Sequence, residues 1–283
     1  MIMDNSFQSN NIPAPLSKKY DQIRALFKEL NSALVAYSGG VDSALLLKIG
    51  TDTLGENCVG VLGVSSSLAA DEKQMAIKLA ERLNAKLEIL PTFEMENDLY
   101  LKNDLRRCFY CKHELFSRMQ ELAQQRNIAV IVDGSNADDR GDYRPGMEAA
   151  KDLQVRSPLL EAEMNKEEIR QLARFLDLPV WDKPAQPCLS SRVIYGQFIN
   201  QDVLDMIDRA EQYIKKRGYN VVRVRYLGST ASVEVDSALL PRILQQRESD
   251  LVRSTLKEIG FADVVIDPDG YRQGNLNEKY TTG

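Results

Sequence analysis

Short apolar runs alternate with amphipathic stretches along most of the chain. Leu34 to Tyr37, Cys58 to Val64, Lys86 to Leu90 and Ile128 to Val132 are brief and rich in β-formers, whereas DEKQMAIKLAERLN and KHELFSRMQELAQQ repeat apolar residues at helical spacing. That alternation predicts a parallel sheet with crossover helices. In NKEEIRQLARFLDL, Asn165 is placed to cap a helix whose third residue, Glu168, reaches back to the cap amide, and Leu178-Pro179 closes the segment. LPVWDKPAQPCLSSRVIYG follows, with Pro179, Pro184 and Pro187 forbidding regular structure, so a boundary is expected near Tyr195. Beyond it the pattern predicts a helix over 200–217, a hairpin in VVRVRYLGSTASVEV, helical material in SALLPRILQQRESDLVRSTLKEIG and a last strand in ADVVID. The expected organisation is a loose arm over residues 1–15, an α/β domain over 16–195 and a small α+β domain over 196–283.

Composition narrows the function. The 283 residues are 43% hydrophobic and 27% charged, as in ordinary globular chains. No apolar run is long enough to span a bilayer, and MIMDNSFQSNNIPAP lacks the basic start and apolar stretch of a signal peptide, so a cytoplasmic protein with no membrane partner is expected. A net charge of -5 would repel a long nucleic acid, which favours small ligands. Four cysteines at 58, 108, 111 and 188 are too few for a disulfide framework and point instead to metal or sulfur chemistry. Cys58, inside CVGVLGV, reads as a small core residue.

The strand at Leu34 to Tyr37 runs straight into SGGVDS and then a helix. Such a junction aims backbone amides and the positive helix end at one point, where an anion belongs. Gly39 and Gly40 admit a close approach, and the hydroxyls of Ser38 and Ser43 can donate to the same oxygens. Val41, Asp42 and Ser43 open the helix, and Asp42 either takes part in chemistry or only caps it. The lysine of the GxxxxGK[ST] loop is missing, so a different phosphate grip is expected. A turn that merely tightens the connection is the plainer reading. SGGVDS resembles the signature of the PP-loop pyrophosphatase superfamily, which implies a Rossmann-like domain and cleavage of ATP between its α and β phosphates, with Mg²⁺, to adenylate a substrate oxygen.

A second loop, VDGSNADDRGDYRPG, groups Asp133, Asp138, Asp139, Asp142, Arg140 and Arg144 after a strand. Ala137 breaks an EF-hand spacing, leaving either a solvated loop with an Asx turn or acids set near Mg²⁺, ribose or substrate. Together with SPLLEA, WDKPAQPCLSSRVIYG and RVR at 223–225, it resembles the LarE family over roughly residues 20 to 270. LarE proteins are ATP-dependent sulfur transferases, some sacrificial, that act in making the nickel-pincer nucleotide of lactate racemase. The resemblance implies that a carboxylate of pyridinium-3,5-biscarboxylic acid mononucleotide becomes an adenylate and then a thiocarboxylate. It implies nucleotide binding by Ser38 to Ser43 with Gly134 and Asn136, and catalytic roles for Asp42 and Cys188. In the sacrificial form Cys188 would give up its own sulfur and remain as dehydroalanine. Here Cys108 and Cys111 accompany it, a pattern that in LarE relatives goes with a [4Fe-4S] cluster, so Cys108, Cys111 and Cys188 become candidate ligands. Implied partners are a sulfur donor protein or free sulfide, a downstream nickel-inserting enzyme and, left open, a second copy of the chain.

Other readings stand beside this one. Three cysteines and His113 could make a structural zinc site, although His113 follows Cys111 too closely for easy geometry. The CxxC could be a redox pair. Arg144, Arg192, Arg223 and Arg225 are candidate grips for an anionic substrate; Arg223 and Arg225 share one strand face. A turn at Ser229-Thr230 would set Arg225 opposite Glu234 and Arg223 opposite Asp236, as ion pairs on a solvated sheet. Arg106 and Lys112 flank the CxxC and could neutralise charge there or simply sit at a helix end; Trp181 is assigned to packing. A tRNA thiolase, an amidotransferase of the NAD or GMP synthetase type and a non-enzymatic nucleotide or iron-sulfur module are the competing functions.

Overall fold

A computed structural model describes residues 12–140 and 145–272. The elements run α1 (Ala14–Leu30), β1 (Ala33–Ala36), α2 (Val41–Leu54), β2 (Cys58–Val64), α3 (Ala70–Arg82), β3 (Lys86–Pro91), α4 (Asp98–Leu101), α5 (Arg107–Arg126), β4 (Val130–Val132), α6 (Pro145–Asp152), α7 (Pro158–Glu161) and α8 (Lys166–Phe175). They continue with α9 (Gln201–Lys216), β5 (Val222–Leu227), β6 (Thr230–Val235), α10 (Leu240–Ile243), α11 (Gln246–Ile259) and β7 (Asp263–Ile266). The chain divides into two compact units, one of residues 1–65, 70–94 and 106–186, the other of 66–69, 95–105 and 187–283.

In the first unit β1 to β4 form a parallel sheet in the order β3-β2-β1-β4. All four residues of β1 are buried, as a central parallel strand covered on both faces requires. Leu34, Ala36, Val59 and Val61 pack with Phe116, Met119 and Leu122 of α5. On α2, Leu45, Leu46 and Leu47 are all fully buried, so this helix is apolar nearly all round and lies inside the unit, against α1 and α8. Cys58 is core: a side-chain carbon on Gly50 would lie 2.6 Å from its sulfur, and burial pushes its thiol up to about 12. The arm expected over 1–15 is corrected at its end, since α1 already begins at Ala14 behind a buried Ile12.

In the second unit β5 and β6 pair antiparallel and β6 and β7 parallel. Val222, Val224, Val233, Val235 and Val264 are buried on one face, where α9 and α11 pack. Alternation puts Arg223, Arg225, Ser232 and Glu234 on the other, and all four are buried, which overturns the solvated face expected there. The hairpin turn is Gly228-Ser229, with Gly228 at φ 78°, one residue earlier than expected. Arg223 therefore faces Glu234, and Arg225 faces Ser232.

The division falls at Gln186-Pro187 and not near Tyr195, because the residues after Pro187 bond to the two early stretches of the second unit. The Leu189 amide donates to the Ser67 carbonyl, and Tyr100 Oη lies 2.6 Å from Ser190 Oγ. Asn103 donates its side-chain amide to the carbonyls of Val193 and Ile194. Contacts this distant in sequence leave no local pattern. No described helix is long and apolar enough to cross a membrane.

Candidate active site

The SGGVDS segment occupies the junction from β1 into α2. Gly39 holds φ 75° and its Cβ position would be 2.8 Å from Ala76 Cβ, so both backbone and space demand glycine. Gly40 is different: its φ is -78°, and an added Cβ would meet only Ser38 Oγ at 3.5 Å. Nothing in the fold excludes a side chain at Gly40, so its bareness serves whatever approaches the loop. Val41, Asp42 and Ser43 are the first residues of α2, whose amides have no helical acceptor behind them. Ser38 Oγ and Ser43 Oγ lie 3.2 Å apart, and the Ser38 amide donates to Ser43 Oγ at 3.1 Å. The two hydroxyls expected to act together are thus neighbours.

Gly134 ends the strand-to-loop passage after β4 and lies against the same junction. An added Cβ there would fall 3.1 Å from the Ser43 amide nitrogen and 3.2 Å from Asp42 Cβ. Asn136 is buried and caps a short helical turn, accepting from the Asp138 amide while its own amide donates to Asp139 Oδ2. Asp133 is buried and accepts from the Ser135 and Ser157 hydroxyls, each at 2.7 Å, and Asp138 accepts from the Lys166 amide. Asp133, Asp138 and Asp139 thus each make contacts that build the loop itself. Arg144 and Asp142 lie outside the described residues.

The sequence reading missed Lys166. Its Nζ lies 2.5 Å from Asp42 Oδ2, with the two side chains 36% and 25% exposed. Asp42 Oδ1 is buried and has no hydrogen-bond partner among the described residues. A cation, Lys166, thus stands at the loop although the usual loop lysine is absent. Lys166 is the first residue of α8, held there by the Asn165–Glu168 capping box that the sequence does announce. The signal was local; only the partner was hidden.

Two cysteines of the candidate trio open α5 in the first unit. Cys108 is exposed and Cys111 half-buried, three residues apart and so on one helix face. Arg106 precedes them, 3.1 Å from Glu148 and 4.5 Å over the Phe109 ring, so its charge is engaged locally. His113 is exposed, within 3.4 Å of Ser117 Oγ. Within neither unit do three described His, Cys, Asp or Glu side chains gather as a metal site.

Cys188 belongs to the second unit, half-buried at the start of a short turn over Leu189–Arg192. Its carbonyl accepts from the Ser191 amide at 2.9 Å, Ser191 Oγ at 2.7 Å and Arg192 Nη1 at 2.9 Å. Three donors on one carbonyl fix the backbone beneath the thiol. Arg192, 2% exposed, also donates to the Pro187 carbonyl and forms a two-point pair with Glu211 at 2.9 and 3.1 Å. Burial alone would lower its pKa, but Glu211 outweighs that and raises it. Arg192 thus holds the Cys188 turn.

Arg225 is likewise committed, to Glu234 at 3.0 Å and to the Ser191 carbonyl at 3.1 Å. Arg223 donates to the Val222 carbonyl at 2.7 Å and lies 5.1 Å from the Tyr271 ring centre. Its pKa is pushed down, first by burial and then by the charge of Arg192. Arg223, Arg225 and Glu234 thus share one buried strand face, and the Arg192–Glu211 pair lies close enough for its charges to act on Arg223.

Fold and loop together define an α/β protein of the SGGVDS type. No family model matches the chain. It is 42% identical over 266 residues to an uncharacterized protein of Synechocystis sp., covering 94% of this chain and 99% of that one. It is 34% identical over 269 residues to the pyridinium-3,5-bisthiocarboxylic acid mononucleotide synthase of Lactiplantibacillus plantarum, covering 95% and 97%. An uncharacterized protein of Methanocaldococcus jannaschii is 26% identical over 91% of the chain and 97% of its own length. The chain belongs to the LarE family and is an enzyme.

Proposed function

We propose that this enzyme is an ATP-dependent sulfur transferase that converts a carboxylate of pyridinium-3,5-biscarboxylic acid mononucleotide into a thiocarboxylate, on the path to the nickel-pincer nucleotide. The observation that carries the reading is the SGGVDS junction with Lys166 beside Asp42. A carboxylate oxygen is a poor leaving group, so it must be activated before sulfur can replace it. Its oxygen attacks the α-phosphorus of ATP, the bond to the β-phosphate oxygen breaks, and pyrophosphate leaves. The amides of Val41, Asp42 and Ser43, the Ser38 and Ser43 hydroxyls and the Lys166 ammonium are suited to the charge that develops there. The orphaned buried Asp42 Oδ1 fits a cation such as Mg²⁺, which would be held by Asp42 and would neutralise phosphate charge. A sulfur nucleophile then attacks the acyl carbon and AMP departs.

Thiols are the right donors for iron, and we take Cys108, Cys111 and Cys188 as the ligands of a [4Fe-4S] cluster, which would supply exchangeable sulfide. A second reading rests on the fixed Cys188 backbone: the thiolate attacks the acyl adenylate, AMP leaves and a thioester forms, and removal of the Cys188 α-proton with cleavage of its Cβ–S bond then leaves dehydroalanine and releases the thiocarboxylate. The buried arginine face of the second unit is suited to the phosphate and remaining carboxylate of the substrate, with Arg223 the strongest candidate and Arg192 and Arg225 as its supports.

The test is anaerobic purification with iron and sulfide analysis, then mass spectrometry after ATP and the dicarboxylate mononucleotide. Recurring thiocarboxylate with Cys188 intact is expected for the cluster. Dehydroalanine at 188 after a single turnover selects the sacrificial route, and absence of any thiocarboxylate overturns the proposal.

A further inference from the structure

Outside the loop itself, the first unit has a cavity of about 460 Å³ between α3 and the stretch after α8. Its size falls in the range of small-molecule pockets. Met75 and Leu79, one turn apart on α3, and Pro179 and Val180 give it apolar lining from two separate elements. Met75 is 44% exposed, a large apolar side chain left uncovered. Lys78 and Arg82 line the same cavity, also one turn apart. Like charges at that spacing disfavour a helix, and among the described residues neither has an ion-pair partner. Asp182 and Lys183 complete the lining, and Lys183 is already neutralised by Glu72 at 2.7 Å.

The wall formed by residues 179–183 is built in advance. Arg170 donates to the carbonyls of Trp181 at 3.1 Å and Lys183 at 3.2 Å, and Arg174 lies 5.0 Å over the Trp181 ring. The opposite wall is tied to the glycine loop, since Tyr37 Oη donates to the Ala76 carbonyl at 2.9 Å and Gly39 both touches α3 and lines the cavity.

We propose that this cavity binds a small amphiphilic anion, a flat apolar ring body carrying one terminal phosphate or carboxylate. The ring lies against Met75, Leu79, Pro179 and Val180; the anionic end meets Lys78 and Arg82. Asp182 accepts from a hydroxyl or amine on the ring portion. Of the lining residues only Gly39 also belongs to the nucleotide loop, and Met75, Lys78 and Arg82 do not, so substituting them tests the site separately from ATP cleavage.

The test is fluorescence titration of the full chain with methylanthraniloyl-AMP and, in a second arm, with anilinonaphthalene sulfonate displaced by benzoate or by AMP. Both arms are run on wild type, on the exposed double variant Lys78→Glu with Arg82→Glu, and on Met75→Asp, with thermal unfolding confirming that each variant folds. Expected is a binding component that weakens about tenfold or more in the double variant, as loss of charge-assisted contacts implies, and several-fold in Met75→Asp. Displacement by AMP alone assigns a phosphate ligand and displacement by benzoate a carboxylate one. Titration curves identical in wild type and both variants overturn the site. So does a component abolished by inorganic phosphate but indifferent to Met75→Asp, since that describes a patch of charge without a ring slot. ATP-dependent pyrophosphate release in the double variant should equal wild type, which separates this outcome from any failure of the proposed reaction.

Discussion

Two adjacent glycines in one loop have different reasons to be glycine, and substitution separates them. Gly39→Ala places a side chain at positive φ and into Ala76, which should cost about 1–2 kcal/mol from the backbone alone and more from the clash. Gly40→Ala meets no such obstacle, so its melting temperature should stay near wild type while pyrophosphate release falls. Differential scanning calorimetry beside a pyrophosphate assay checks both. Lys166→Ala should lower ATP cleavage by about 10²–10³-fold, the usual loss when one preorganised charge-stabilising group is removed, with little effect on folding because its side chain is 36% exposed. Single-turnover AMP formation measures it. At this scale the sequence was informative about the loop and silent about its lysine: SGGVDS announces itself by two glycines between hydroxyls, whereas Lys166 lies 124 residues from Asp42 and looks like any solvated helix residue.

Among the elements, the parallel strands and the capped α8 follow from local patterns, since burial on both faces and a reciprocal cap each leave a signature within a few residues. The arginine strand did not. Arg223 and Arg225 alternate with valines as exposed charges do, and the acid that pairs with Arg225, Glu234, lies on the neighbouring strand where no local window shows it. A one-residue difference in turn position moved the register by two, and with it every cross-strand partner. Glu211 joins Arg192 to the β5 backbone by accepting from the Val224 amide at 3.0 Å. Glu211→Ala therefore leaves a buried guanidinium unpaired and should destabilise the second unit by about 3–5 kcal/mol. Urea denaturation followed by a probe placed in that unit measures the loss. Accompanying exposure of Cys188, read as faster alkylation at subdenaturing urea, would show that the pair holds the cysteine turn.

For the molecule as a whole, the division into units was only partly legible. Proline-rich sequence marked the connector, but the return of residues 66–69 and 95–105 to the second unit depends on hydrogen bonds such as Leu189 to Ser67 that no sequence window contains. Each unit also carries an acid-sensitive tie. Glu248 in the second unit is held below its ordinary value of 4.5, mainly by Arg217, and Glu168 in the first is lowered by Lys19 and the Asn165 amide against the opposing pull of burial. A carboxylate depressed in the folded state contributes stability above its unfolded value, and that contribution is lost as pH falls through the folded one. Both units should therefore lose stability on acidification below about 4.5, and Glu248→Gln should flatten that loss in the second unit without removing it in the first. Thermal unfolding across that pH range checks the sign.

The account depends most on what happens to ATP at the head of α2. Incubating the anaerobic enzyme with ATP labelled at the α- and γ-phosphates, with and without the dicarboxylate mononucleotide, reads this directly. AMP and pyrophosphate in equal amounts, formed only with the mononucleotide present and lost in Asp42→Asn, is the predicted result. Formation of ADP and orthophosphate, or AMP formation unchanged by Asp42→Asn, would contradict it.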